Sequence, residues 1–139
     1  MEPTIEALLQ TPYWIIDILP KQVPENGPGQ YFTIERFYLQ DEQLADIKKR
    51  HINVVLKLNC FRDISVDDER ELNPAPERVA DEMRKRYLYI RTGNAMILSE
   101  PDDTHLTVFN PDQELLELIR QIAVGEGLYV WKPGEENER

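Results

Sequence analysis

The tightest constraint on this fold is a pair of chain reversals between residues 87 and 109. Thr92-Gly93-Asn94-Ala95 puts glycine at the first central position of a two-residue loop, where a type II′ turn needs positive φ and matches strand twist. Pro101-Asp102-Asp103 supplies a second reversal. The runs at 87–92, 95–100 and 104–109 are rich in aliphatic and β-branched residues, so they are predicted to form an antiparallel meander. With a three-residue second reversal, Leu88, Ile90, Ile97, Ser99, His105, Thr107 and Phe109 share one face. Tyr87, Tyr89, Leu98, Leu106 and Val108 then share the other, and both faces are apolar enough to need cover.

The flanking segments are read by the same local chemistry. Asn110-Pro111-Asp112-Gln113 starts a helix, with Asn110 as the cap, Pro111 at the first helical position and Gln113 reaching back. Leu115, Leu118, Ile119 and Ile122 form its buried stripe, and Gly125-Glu126-Gly127 ends it before a strand at 128–131. Nearer the start, 2–10 reads as a short helix with Ile5, Leu8 and Leu9 on one face. Residues 13–19 read as a strand stopping at Pro20, and 20–29, with three prolines and two glycines, as a loop.

Aromatic and β-branched residues at 31–39 predict a second strand. Asp41-Glu42 and Lys48-Lys49-Arg50-His51 place acid and base at opposite ends of a helix over 41–51. Val54, Leu56, Leu58, Cys60, Ile64 and Val66 alternate with polar residues, which predicts a long strand near 53–66. The competing template is one helical stripe through Leu44, Ile47, Val54, Val55 and Leu58. Asn73 is placed to cap a further helix carrying Val79, Ala80, Met83 and Tyr87.

Strands and helices alternate incompletely, so the expected class is α+β: a mixed, largely antiparallel sheet of about six to seven strands with about three helices. Length predicts one domain over 1–132 with a frayed charged tail at 133–139. Strand-strand-helix-strand occurs around 13–66 and again around 95–131, a weak ββαβ duplication with little residue identity behind it.

A net charge of −10 repels phosphate backbones and anionic headgroups, so neither nucleic acid nor membrane is an expected partner. The first residues carry an acid where a secretory signal would carry bases, and Cys60 is the only cysteine, so a reducing cytoplasm is the expected setting. No cofactor motif is present: Gly27-Pro28-Gly29 lacks the spacing and adjoining helix of a phosphate-cradling loop.

Four residues make the sharpest chemical grouping. Ser99 and His105, placed opposite each other with Asp102 and Asp103 between them, outline a hydrolytic site, or a divalent-ion site using Asp102, Asp103 and His105. A tight turn does not put a carboxylate behind the imidazole or supply oxyanion donors, and aspartates ordinarily serve to reverse a hairpin. Cys60 is expected to be a buried, inert thiol, His51 to serve helix-end electrostatics, and Asp67-Asp68-Glu69 to be solvated charge. Aromatics such as Tyr13, Trp14, Tyr31, Phe32, Tyr87, Tyr89, Tyr129 and Trp131 fall in expected strands and are expected to be core. The resulting expectation is a non-catalytic protein-interaction or regulatory domain with an acidic, aromatic-bearing face. A small hydrolase or metal-dependent enzyme centred on His105 with Ser99 or Asp103, and a small-molecule sensing domain, are the alternatives.

Overall fold

The computed structural model describes residues 3–22 and 29–134. Parts of three expectations, the helix at 2–10, the loop at 20–29 and the tail at 133–139, lie outside the described residues, at 2, 23–28 and 135–139. Strands β1 (Tyr13–Asp17), β2 (Ser65–Val66), β3 (Leu88–Thr92), β4 (Ala95–Ser99), β5 (His105–Phe109) and β6 (Tyr129–Trp131) form one antiparallel sheet ordered β2-β3-β4-β5-β1-β6. Among the described residues there are five helices: α1 (Ile5–Leu8), α2 (Gln30–Tyr38), α3 (Asp41–Asn59), α4 (Pro76–Lys85) and α5 (Gln113–Gly125). The class is α+β.

Three helices close one face of the sheet. Ile52, Val55 and Leu58 of α3, Val79 and Met83 of α4, and Leu115 and Ile119 of α5 bury against Ile16, Leu88, Ile90, Ile97, Leu106 and Val108. Fully burying each such side chain is worth about 1.5–3 kcal/mol, so this layer carries most of the stability. The opposite face is covered only in part, where Leu8 of α1 packs on Met96 and Phe109 with Ile5, Tyr89 and Leu98 around them.

The end of α5 follows from its glycines. Leu128 N–H donates to Ala123 O at 2.8 Å and Gly127 N–H to Val124 O at 3.0 Å, with Gly127 at φ 77°, a paired closure that satisfies the last carbonyls. A Cβ on Gly127 would lie 2.6 Å from Arg50 Nη1, whose hydrogen bond to Glu126 O pins α3 to this corner. The arginine can swing away, but the left-handed backbone cannot be relieved so easily. Gly127→Ala is therefore expected to cost about 1–2 kcal/mol, measured as a lower urea midpoint with an unchanged slope.

The structure overturns several local expectations. Residues 31–39 are not a strand: α2 occupies them, with Tyr31, Ile34, Glu35 and Tyr38 at helical spacing on its half-buried side. The ββαβ duplication goes with that strand, since the first half becomes strand-helix-helix-strand. The long strand at 53–66 is likewise absent, because α3 runs on to Asn59 and leaves only β2. Ile47, His51, Val54, Val55 and Leu58 form the buried helical stripe. Cys60 follows α3 as its exposed C-cap rather than a buried strand residue.

Asn73 does not cap α4, whose N-cap is Ala75; with φ 57° it closes the preceding loop, its Oδ1 accepting from Ile64 N at 3.0 Å. Asp112, not Asn110, caps α5, accepting from Leu115 N at 2.8 Å, while Asn110 turns the chain at φ 60° and donates to Asn94 O. The aromatics are not a core set either: Tyr31 and Phe32 lie on α2, and Tyr13, Phe32, Tyr87 and Tyr129 are exposed.

Candidate functional site

The meander forms as expected, but its second register differs by one residue. Ser99 pairs with Leu106, and five residues, 100–104, separate β4 from β5. The longer turn is held from α3: Lys48 Nζ donates to Glu100 O at 2.8 Å and to Ser99 Oγ at 3.2 Å, and His51 Nε2 donates to Thr104 O at 3.3 Å. Within the turn, Asp103 Oδ1 accepts from Thr104 N at 2.7 Å. Strand side chains alternate between faces, so a one-residue slip exchanges all of them. Ser99, Leu106 and Val108 belong to the helix-covered face, and His105, Thr107 and Phe109 to the other.

Ser99 and His105 are therefore not brought together. Ser99 is fully buried with Lys48 as its partner, and His105 faces away on the far side of the sheet. Asp103 does meet His105, its Oδ1 lying 2.9 Å from Nδ1, whereas Asp102 is exposed in the turn. Among the described residues no group of three or more histidine, cysteine or acidic side chains is placed to hold a metal ion. His51 is not at a helix end; it is buried within α3, and burial followed by the Lys48 charge pushes it down to about 3. Asp67 accepts from Tyr89 N and pairs with Arg86, Glu69 pairs with Arg78, and the exposed Asp68 lies 3.9 Å from Arg91, so each of those three acids has a cationic partner.

What gathers on the partly open face is a different set. β1 runs antiparallel to β5, with Tyr13 opposite Phe109, Ile15 opposite Thr107 and Asp17 opposite His105, and on its other side β6 sets Trp131 opposite Ile15 and Tyr129 opposite Asp17. These strands floor a concavity of about 460 Å³, whose rim includes Glu35 from α2, and Gln22 and Pro133. Tyr13, Ile15, Phe109 and Trp131 make it apolar along its length. Tyr13 and Phe109 meet with ring centroids 5.6 Å apart, and Trp131 Nε1 donates to Leu19 O, so the indole is already oriented.

Its polar end is Asp17, His105, Asp103 and Glu35. Asp17 is only 5% exposed, and its Oδ1 is buried without a hydrogen-bond partner among the described residues. Burial raises its pKa to about 6; the backbone amides of Leu19 and Ile18 and the charge of His105 oppose the rise, and Glu35 adds to it. His105 is also held above the usual imidazole range. Burial works against its proton, but the hydrogen bond and charge of Asp103, with Asp17 and Glu100 beyond, outweigh that. The Asp103 carboxyl is correspondingly depressed, burial being overcome by His105 and the adjacent backbone amides.

Asp17 and Glu35 carry no motif. The available signal is a lone carboxylate inside the apolar run Tyr-Trp-Ile-Ile-Asp-Ile-Leu, where aspartate is an unfavourable strand residue and calls for a reason. No family model, characterised protein or solved structure matches the chain, so the site is read from its own chemistry. No helix among the described residues is long and apolar enough to cross a membrane.

Proposed function

We propose that this chain is a non-catalytic binding domain that holds a small organic ligand in the concavity over β5, β1 and β6. The observation that carries the reading is Asp17: a nearly buried carboxyl with an unsatisfied oxygen, set at one end of an aromatic and aliphatic trough. A buried acceptor left without a donor costs about 1–3 kcal/mol, and a donor or positive group brought to the same carboxyl offsets part of the burial of its charge. The volume, about 460 Å³, suits a small organic molecule, and a few convergent polar groups in an otherwise apolar hollow are the ordinary makeup of such sites. Hydrolysis is the weaker reading, because the candidate hydroxyl and the imidazole occupy opposite faces of the sheet.

A fragment collection screened by melting temperature tests this. Compounds that bind should raise the melting point by several degrees, as saturation at about 100 times Kd adds about 2.7 kcal/mol. Their amide and indole NMR shifts should centre on Ile15, Thr107, Phe109 and Trp131, and Thr107→Trp, which fills the trough, should abolish them. Hits that survive Thr107→Trp, or none at all, would overturn the proposal. A second reading, a protein-docking surface, is favoured by α2, which buries none of its residues fully and leaves Phe32 and Phe37 exposed.

A further inference from the structure

We propose that the ligand of this concavity is an organic amine, its ammonium group at Asp17 and its hydrocarbon body along Ile15, Phe109 and Trp131. This rests on the reading of the trough as a binding site and names what enters it. The first ground is the kind of atom left unsatisfied. An ionised carboxylate only accepts hydrogen bonds, so the Asp17 oxygen without a partner calls for N–H or O–H donors, and a charged N–H donor makes the strongest such bond. That oxygen is itself shut off from the surface, so a charged donor arriving from the trough acts on the carboxylate as a whole, offsetting its buried negative charge.

The second ground is the balance of charge around it. Asp17 on β1, Glu35 on α2 and Asp103 in the β4–β5 turn bring three carboxyl groups to this end, and Glu100 lies close enough to act on His105. Against them among the described residues stand His105, already engaged by Asp103 at 2.9 Å, and Lys48, which acts on Asp103 and Glu100 from behind the β4–β5 turn; Tyr129 lies opposite Asp17 on β6. Two cations against Asp17, Glu35, Asp103 and Glu100 leave at least one carboxylate uncompensated, which disfavours an anion and leaves room for one further cation. A bare metal ion is a poor fit, because no three-ligand grouping exists among the described residues.

The third ground is the rest of the trough. Aromatic rings attract organic cations through their negative faces and bury the attached carbon chain; Trp131, opposite Ile15 and two residues along from Asp17, is the ring at the carboxyl end, while Tyr13 and Phe109, four residues and about 13 Å along, line the far end for the hydrocarbon body. A neutral hydrocarbon would use these rings but leave Asp17 unsatisfied. An inorganic cation would use Asp17 but not the rings.

The test compares 2-phenylethylamine with 2-phenylethanol, matched in shape and differing in charge, by calorimetric titration of the whole chain. The amine is expected to bind roughly tenfold or more tightly than the alcohol. Asp17→Asn should remove that advantage while leaving the alcohol unaffected, Glu35→Gln should weaken the amine several-fold without touching a buried residue, and Thr107→Trp should abolish both. Equal binding of amine and alcohol, with Asp17→Asn and Glu35→Gln both silent, would overturn the amine assignment and leave the trough as a site for neutral ligands. Absence of binding by either compound at millimolar concentration, or binding unchanged by Thr107→Trp, would overturn the binding site itself and the amine with it.

Discussion

Asp17→Asn is expected to stabilise the protein at about pH 8 by about 3 kcal/mol and to give no gain at about pH 3. The size follows from a carboxyl pKa moved from 3.8 to about 6, roughly two pH units at about 1.4 kcal/mol each. The sign follows from its direction. A folded-state value above the unfolded one contributes favourably below 3.8 and loses that contribution as pH rises through about 6. Asparagine keeps the shape and never charges, so the variant retains at high pH what the wild type has only at low pH.

His51 makes the same experiment sharper. Its folded-state value is pushed down to about 3 from 6.5, so its contribution is full above 6.5 and is lost as pH falls towards 3. Between about 6 and 4 the two residues therefore oppose each other, and the wild type should show a nearly flat stability profile there. Asp17→Asn removes one side of the balance, and its stability should fall by about 1.4 kcal/mol per pH unit below 6.5. Urea midpoints across this range are the measurement. If the variant is less stable than wild type at about pH 8, the Asp17 charge is already compensated within the fold, and its claim to a ligand disappears.

A residue that weakens the fold while lining a cavity is expected at a binding site, and this pattern explains what the sequence discloses and what it hides. Residues 87–131 are legible because their signals are local: Gly93 takes φ 57° in the hairpin, and Gly127 takes the left-handed position that ends α5. Even there, counting the second turn as three residues instead of five displaces β5 by one place and moves His105 to the wrong face. The turn length depends on Lys48 and His51, which arrive from α3 more than fifty residues earlier in the chain, and no local rule reports them.

Residues 30–59 mislead for another reason. Tyr31, Phe32, Thr33, Ile34, Phe37 and Tyr38 are strand-forming types, yet the 31, 34, 35, 38 spacing is helical, and spacing prevails over intrinsic preference. In α3 the basic cluster at 48–51 resembles a helix end, but its members serve tertiary contacts: Lys48 reaches the β4–β5 turn and Arg50 reaches Glu126 O. Period-two alternation at 54, 56, 58 and 60 coexists with the helical set 47, 51, 54, 55 and 58, and only packing decides between them. The candidate site was hidden because it needs β1 beside β5, a pairing across about ninety residues of chain.

Val55→Ala and Cys60→Ala separate those two periodicities, and Leu58→Ala, at a position buried under either, carries the largest expected loss. Leu58→Ala should cost about 3–4 kcal/mol, since the side chain is fully buried beneath the sheet and its removal leaves a cavity that the helix cannot close. Val55→Ala should cost about 2 kcal/mol for the same reason, although alternation would have turned Val55 away from the core. Cys60→Ala should change stability by less than about 0.5 kcal/mol, because the thiol is exposed. Equilibrium unfolding in urea measures all three. A silent Val55→Ala with a costly Cys60→Ala would mean that this segment is extended. Lys48 and His51 would then have no rigid helix from which to hold residues 99–104, and neither the five-residue turn nor the meeting of Asp103 with His105 would survive.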